Sequence, residues 1–276
     1  MFSREFSYEN FESMNRQFRS TKSFASQHVL EISKIPKLSA EDFATYKLDG
    51  LLPPRLSGLN LLDVGCGTCR VTRHLASLQP KSIHCIDPAI TPDQFRALTE
   101  DFNNDLSFTK FSFTQTIASE FHGEGCFDLI LLLGVLHHIP NPNKTLRHLS
   151  QFLADDGRIV LWLYSKDIGV ISMFSLKILR FIFRFLGPLK IKFTYLIYGA
   201  LRQANHFRNS SVIDEIMNKT REEAILVLFD QLNAGYAKYY SEKDILKLAE
   251  LNSLHIIKIL RTGNKGWTVL MSKKIS

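Results

Sequence analysis

The stretch Leu61-Leu62-Asp63-Val64-Gly65-Cys66-Gly67-Thr68-Cys69-Arg70 reads as a buried strand ending at Val64, a Gly-x-Gly turn and the start of a helix. Glycines at 65 and 67 tolerate positive φ and let a ligand approach the backbone without meeting a Cβ. Alone, such a turn is also an ordinary strand-to-helix connection. Its neighbour gives it meaning, because Ile83-His84-Cys85-Ile86-Asp87 is a second apolar run closing on a carboxylate twenty residues after Gly67. In doubly wound folds an acid at that place accepts hydrogen bonds from ribose hydroxyls. A dinucleotide and a nucleoside would satisfy both features. The third glycine of a dinucleotide fingerprint would fall at position 70, where the chain has Arg70, and this argues against a pyrophosphate binder.

Outward from this stretch the pattern repeats. Apolar runs at Leu59–Val64, Ser82–Ile86, Leu106–Phe111, Phe127–Leu133 and Arg158–Leu163 alternate with helix-compatible stretches near 69–79, 92–103 and 142–153. Alternation of this kind predicts crossovers and a mostly parallel sheet covered on both faces. Upstream, residues 1–57 are polar, mixed in charge and helix-compatible, and Pro53-Pro54 ends them because neither proline continues a helix. Downstream, helices are expected near 213–229 and 242–251. Strands His255–Leu260 and Trp267–Met271 follow, joined by a hairpin turn through Thr262-Gly263-Asn264-Lys265-Gly266. The expected sections are an N-terminal helical one (1–57), a ligand-binding core (58–166), a helical insertion (167–240) and a final helix with hairpin (241–276).

Composition sets the outer bounds. With 276 residues, 45% hydrophobic and 22% charged, the chain is neither disordered nor collagen-like nor a coiled coil. Its four cysteines, Cys66, Cys69, Cys85 and Cys126, are too few for a disulfide framework and suit reduced thiols. Met1 is followed by Phe2-Ser3-Arg4-Glu5, with no basic stretch leading into an apolar one, so no secretory signal is read and a cytoplasmic location is expected.

The fourth apolar run and its exit, Phe127-Asp128-Leu129-Ile130-Leu131-Leu132-Leu133-Gly134-Val135-Leu136-His137-His138-Ile139-Pro140, make the reading specific. With Asp63–Gly67, Asp87 and the turn Leu153-Ala154-Asp155-Asp156-Gly157-Arg158, it resembles the class I S-adenosylmethionine-dependent methyltransferases over about residues 59–164. The helix start at Tyr240-Ser241-Glu242-Lys243-Asp244 and the closing hairpin fit the same family. The resemblance implies a doubly wound, mostly parallel, seven-stranded α/β sheet with an antiparallel C-terminal hairpin, N-terminal helices and a helical insertion after the fifth strand.

It also implies S-adenosylmethionine as cofactor. Asp63, Gly65, Cys66 and Gly67 would line its methionine and ribose part, Asp87 would hold the ribose hydroxyls, and Pro88 would sit beside the adenine. Family members often place an acid after the third strand, against the adenine amino group. Here that stretch reads Phe113-Thr114-Gln115-Thr116-Ile117, so Gln115 or Thr116 would substitute, with Ile117 packing on the ring. Leu133, closing the fourth run, completes the set. Cys69 stands where many relatives carry a third glycine.

The implied activity is methyl transfer by direct in-line displacement to a small, partly apolar acceptor, at oxygen, nitrogen or carbon. A sulfonium centre already activates its methyl group, so the protein mainly aligns the nucleophile, which can contribute about 7–11 kcal/mol. A general base adds about 10²–10⁴-fold. His138 is the candidate base, His137 a weaker one, and the pair reads equally well as scaffold holding the loop under the cofactor. Tyr164, Tyr239 and Tyr240 are further cleft candidates. An RNA-modifying methyltransferase and a non-catalytic cofactor-binding or membrane-associated protein are the alternatives. Cys66 and Cys69 have the spacing of a redox pair or half a zinc site, yet no second pair completes a tetrahedron, so no metal is expected.

Residues 168–202 carry Lys177, Arg180, Arg184, Lys190, Lys192 and Arg202 and no acid, which accounts for nearly all of the net charge of +7. On a helical wheel Lys177, Arg180 and Arg184 share one face among large apolar residues, and Gly187-Pro188 stops the helix. Neither uncharged run reaches the ~20 residues a membrane span needs. Three readings stand: a lid over the acceptor, peripheral contact with an anionic membrane surface, or an ordinary core or dimer contact. Nucleic acid is disfavoured, because the basic residues lie among aliphatics rather than among polar groups and stacking aromatics.

Overall fold

The computed structural model describes residues 48, 51–52, 55–105, 108–168, 170–204, 221–262 and 266–274. The helical section expected for 1–57, apart from 48, 51–52 and 55–57, lies outside these residues. So do its Pro53-Pro54 stop, positions 213–220 of an expected helix, and the hairpin tip at 263–265.

The chain forms β1 (Asn60–Val64), α1 (Arg70–Ser77), β2 (Ser82–Ile86), α2 (Pro92–Asp105), β3 (Lys110–Thr114), β4 (Phe127–Leu133), α3 (Pro142–Leu149) and β5 (Leu153–Tyr164). It continues through α4 (Val170–Phe185), α5 (Lys190–Ala204), α6 (Arg221–Asn233), α7 (Glu242–Leu251), β6 (Leu254–Thr262) and β7 (Gly266–Lys273). Seven strands make one sheet in the order β3-β2-β1-β4-β5-β7-β6. β1 to β5 pair in parallel, and β7 is antiparallel to both β5 and β6. This is the doubly wound sheet with an antiparallel hairpin that the sequence implied.

The central strands are apolar throughout because both faces are covered. Alternate residues divide between two cores. Leu62, Ile130, Leu132, Ile159 and Leu161 pack with Leu146 of α3 and Ile245 and Leu248 of α7. Leu61, Leu129, Leu131 and Val160 pack with Leu75 and Ala76 of α1 and Phe95 of α2. The order runs outward from β1 through β2 and β3 on one side, and from β4 through β5 on the other. The carboxyl ends of β1 and β4 therefore flank the topological switch point, where ligands bind in such folds.

Several boundaries differ from the sequence reading, and the helix expected to end near 229 runs on to Asn233. β3 occupies Lys110–Thr114 rather than Leu106–Phe111, and Phe108 is 79% exposed. Phe111 and Phe113 turn to one core while Lys110, Ser112 and Thr114 take the outer face of this edge strand. The third helix ends at Leu149, and after one 3₁₀ turn β5 begins at Leu153. The turn read at 153–158 persists as a bulge, since Leu153 pairs with Phe127 but the next partners are Arg158 and Leu129.

α4 and α5 flank a turn at Gly187–Leu189, where Gly187 has φ +46°. Both pack on α6: Phe183 of α4 meets Phe229 and Leu232, and Tyr198 of α5 meets Ile225 and Leu228. α7 starts with a capping box in which Ser241 Oγ accepts from the Asp244 N–H and Asp244 Oδ2 accepts from the Ser241 N–H.

Candidate cofactor and acceptor site

At the end of β1 the chain bends through Gly65 (φ +72°) and Gly67 (φ +51°) before Cys69, itself left-handed at φ +57°, caps α1. A Cβ on Gly65 would stand 2.5 Å from Val135 Cγ2, so the bend packs directly against the β4 exit. A Cβ on Gly67 would meet nothing within 4 Å; the space beside it is open. The Gly67 N–H donates to Asp87 Oδ2 at 3.0 Å, and Asp87 Oδ1 accepts from the Ala89 N–H at 2.7 Å. The glycine turn and the carboxylate after β2 are thus one hydrogen-bonded unit. Gly134, with φ +80° and open space at its Cβ position, faces the same switch point from the end of β4.

Behind the turn lies a buried polar chain. Asp63 Oδ2 accepts from Thr72 Oγ1 at 2.6 Å. Burial pushes the Asp63 carboxyl up to about 6, the Thr72 hydrogen bond opposes this, and the nearby Asp87 charge adds to it. Cys85 Sγ lies 3.9 Å from Thr72 Oγ1. The Cys66 thiol, hydrogen-bonded to those of Cys69 and Cys85, is raised well above its ordinary value by these bonds and by burial. Burial likewise lifts Cys85, to about 11. Cys66 and Cys69 therefore face the core, and what Cys66 offers a ligand is backbone. Among the described residues, no group of three or more His, Cys, Asp or Glu is placed to hold a metal ion.

On the adenine side, Pro88 is half-buried and its carbonyl accepts from Gln115 Nε2 at 3.5 Å, which brings the exits of β2 and β3 together. Gln115 is exposed, Thr116 and Ile117 are half-buried, and Leu133 is buried. All the residues read from sequence as cofactor-binding thus cluster on the carboxyl edge of the sheet, on β1 to β4 and their exits. Gly134 and Val135 were missed, although a glycine directly after an apolar strand was the available signal.

The exit of β4 forms a 3₁₀ turn at Leu136–His138 and buries both histidines. His138 Nδ1 donates to the Tyr236 carbonyl at 2.7 Å, which fixes the tautomer and leaves the lone pair on Nε2. Burial holds its pKa down at about 4, partly offset by that hydrogen bond, with the Arg180 charge adding to the depression. Burial and the neighbouring His138 place His137 well below the ordinary range. The His137 ring stacks on Tyr164 at 3.7 Å, and Tyr164 stacks on Tyr239 at 5.6 Å. The Tyr164 hydroxyl accepts from Gln231 Nε2 at 2.9 Å.

A strap from 236 to 240 holds this aromatic group. The Lys238 N–H donates to the His137 carbonyl and the Tyr240 N–H to the Tyr164 carbonyl, both at 2.8 Å. Tyr240, a sequence candidate for the cleft, is 1% exposed and belongs to the core, whereas Tyr239 is half-buried. Tyr236 and Gln231 had no sequence signal.

The basic face read for Lys177, Arg180 and Arg184 is split. Arg180 Nε donates to the Gln231 carbonyl at 2.7 Å, and Lys190 Nζ to Asn233 Oδ1 at 2.7 Å. Two cations thus sit at the carboxyl end of α6, where the helix dipole favours them. Lys177 and Arg184 remain exposed. Helical periodicity gave the angle of Arg180 but not the partner that draws it inward.

Residues 62–159 match the family model of the methyltransferase domain. A ubiquinone biosynthesis O-methyltransferase of Caulobacter sp. (strain K31) is 22% identical over 152 residues, 54% of this chain and 58% of that protein. A tRNA U34 carboxymethyltransferase of Campylobacter fetus subsp. fetus is 31% identical over 128 residues, 42% of this chain and 40% of that protein. The chain thus matches less than two thirds of these curated relatives' length. Among solved structures, the Burkholderia thailandensis 1,6-didemethyltoxoflavin-N1-methyltransferase, with bound 1,6-didemethyltoxoflavin and S-adenosylhomocysteine, superposes with a TM-score of 0.56. That match covers 100% of this chain and 94% of the other at 13% identity, a likeness of fold. The matched segment runs from β1 into β5 and carries the glycine turn and the histidine exit, so over these residues the chain is similar to the methyltransferase domain, in a fold shared with a structure that holds S-adenosylhomocysteine.

Proposed function

We propose that this chain moves the methyl group of S-adenosylmethionine to a small, partly apolar acceptor, at oxygen, nitrogen or carbon. The observation that carries the reading is the open space at Gly67, hydrogen-bonded to the Asp87 carboxylate at the switch point. A side chain there would fill what is left clear. Asp87 Oδ2 accepts from the Gly67 N–H and Oδ1 from the Ala89 N–H, which holds the carboxylate in place at the switch point, and in this reading it also accepts from the ribose hydroxyls. In this reading Gly65, Gly67, Gly134 and the Cys66 backbone seat the methionine and ribose. Pro88, Gln115, Thr116, Ile117 and Leu133 border the adenine. S-adenosylmethionine, when bound, supplies a methyl group already activated by its sulfonium centre.

The chain's own contribution is alignment. Half-buried Tyr239 gives the acceptor side an aromatic, uncharged wall, backed by Tyr164, which stacks on the buried His137 and is held by Gln231 of α6. His138, at about 4, is poorly matched to take a proton at neutral pH. Its part in this reading is to tie the β4 exit to the strap at Tyr236. The similarity to a relative named for ubiquinone biosynthesis supports a small-molecule acceptor. The similarity to a tRNA U34 carboxymethyltransferase supports a second reading, an RNA acceptor.

Methyl-labelled cofactor incubated with protein and cell extract separates these readings. The expected label is in the small-molecule or lipid fraction, and Asp87→Asn removes it while weakening S-adenosylhomocysteine binding by about 1–3 kcal/mol. Label confined to RNA selects the second reading. Cofactor binding without any labelled product makes the protein a non-catalytic binder, and no calorimetric response to the cofactor removes both methyl-transfer readings.

A further inference from the structure

α4 and α5 each turn one face to α6 and leave the other uncovered. Phe183 and Tyr198 are buried against α6, whereas Phe181 is 64% exposed, Phe185 71%, Leu189 52% and Leu196 66%. Twelve large apolar side chains are exposed among the described residues, and eight of them lie between Ile178 and Leu196. Scattered exposure of this kind is ordinary, but its concentration on two consecutive helices that pack on the same third helix is not. On α4, Ile178, Phe181, Ile182 and Phe185 fall within about 100° of the circumference, with Lys177 and Arg184 beside them. The Phe181 and Phe185 rings meet edge to face, their centroids 5.2 Å apart.

The charge on this surface has one sign. Arg180 and Lys190 are spent on α6, which leaves Lys177, Arg184, Lys192 and Arg202 exposed. Residues 168–204 contain no Asp or Glu. No helix among the described residues is long and apolar enough to cross a membrane.

We propose that the α4–α5 surface docks on a bilayer containing anionic lipid, its apolar stripe entering the headgroup boundary and its four cations meeting lipid phosphates. A basic amphipathic surface binds there through apolar burial plus attraction to anionic lipid. The charge decides between occupants. A second copy in a two-fold contact would set basic side chain against basic side chain with no acid to pair. An RNA strand would leave Ile178, Ile182, Leu189 and Leu196 facing phosphate and water. A bilayer satisfies both the aliphatics and the cations. The docking stands independently of the methyl-transfer reading.

Flotation of the full chain with phosphatidylcholine vesicles, with and without phosphatidylglycerol, tests it. The expected result is flotation only with phosphatidylglycerol, weakening as salt rises. Each cation at an anionic surface is worth about five-fold in partitioning, so Lys177→Glu with Arg184→Glu lowers it by at least ~25-fold. Phe181→Ser with Phe185→Ser removes flotation even at low salt. All four positions are exposed, so both double variants keep the parent's melting temperature, which checks the fold. Flotation that ignores lipid charge, or its absence, overturns the proposal. So does a dimer in sedimentation that Phe181→Ser with Phe185→Ser dissociates, or flotation unchanged in both double variants.

Discussion

Gly65 and Gly67 share a left-handed backbone but fail differently when given a side chain. Left-handed geometry costs a non-glycine residue about 1–2 kcal/mol. For Gly65→Ala that strain adds to a methyl 2.5 Å from Val135 Cγ2, so the Val135 side chain must shift. The expected outcome is a loss of stability above ~2 kcal/mol in urea unfolding. Gly67→Ala carries only the strain, since its Cβ position is clear within the protein. Its methyl would occupy ligand space, so S-adenosylhomocysteine affinity should fall at least ~10-fold by calorimetry while urea unfolding loses no more than the ~1–2 kcal/mol of strain, less than for Gly65→Ala. At this scale the geometry of the candidate site was legible in sequence, because a positive-φ bend calls for glycine and the carboxylate stands at a strand end. The inward turn of the Cys66 and Cys69 thiols was not, because it depends on Cys85 arriving from β2.

The elements were readable where one periodicity ruled. The doubly covered strands β1, β2 and β4 appear as apolar runs, and Ser241 and Asp244 announce α7 three residues apart. β3 was misplaced because Leu106 and Phe108 offered the same alternation one turn early, and only pairing with β2 selects Phe111 and Phe113. The strap at 236–240 has no period, as its hydrogen bonds go to the ends of β4 and β5 rather than to a neighbour in sequence. The cations on α6 belong to this scale too. Lys190→Met removes a charged hydrogen bond to Asn233 and one favourable dipole contact, at a cost of about 1–2 kcal/mol. Faster proteolytic cutting between α4 and α6, with S-adenosylhomocysteine binding retained, is the expected readout.

For the molecule as a whole, acid is the sensitive direction. His138 goes from an ordinary 6.5 to about 4 on folding, so between these values the unfolded chain binds more protons and stability falls as pH falls. His137 acts in the same sense. Asp63 acts oppositely: its carboxyl rises from 3.8 to about 6, so the folded form holds the proton and stability falls as pH rises through that window. His138→Asn keeps a donor for the Tyr236 carbonyl and deletes one histidine contribution. Urea unfolding at pH 7 and pH 4 should show the variant losing about 3 kcal/mol less than the parent on acidification. Equal losses would mean that His138 is protonated in the folded form.

The sheet order carries a consequence for synthesis. β7 follows β6 in the chain yet lies between β6 and β5 in space. The apolar half of β5, the seven residues Arg158–Tyr164, therefore keeps one edge unpaired until residues 266–272 have been made. At about 5–20 residues per second, ribosomes leave that edge bare for ~5–20 s. An exposed strand edge of this kind templates aggregation. The emerging polypeptide thus passes through an interval of adhesiveness that the finished molecule hides.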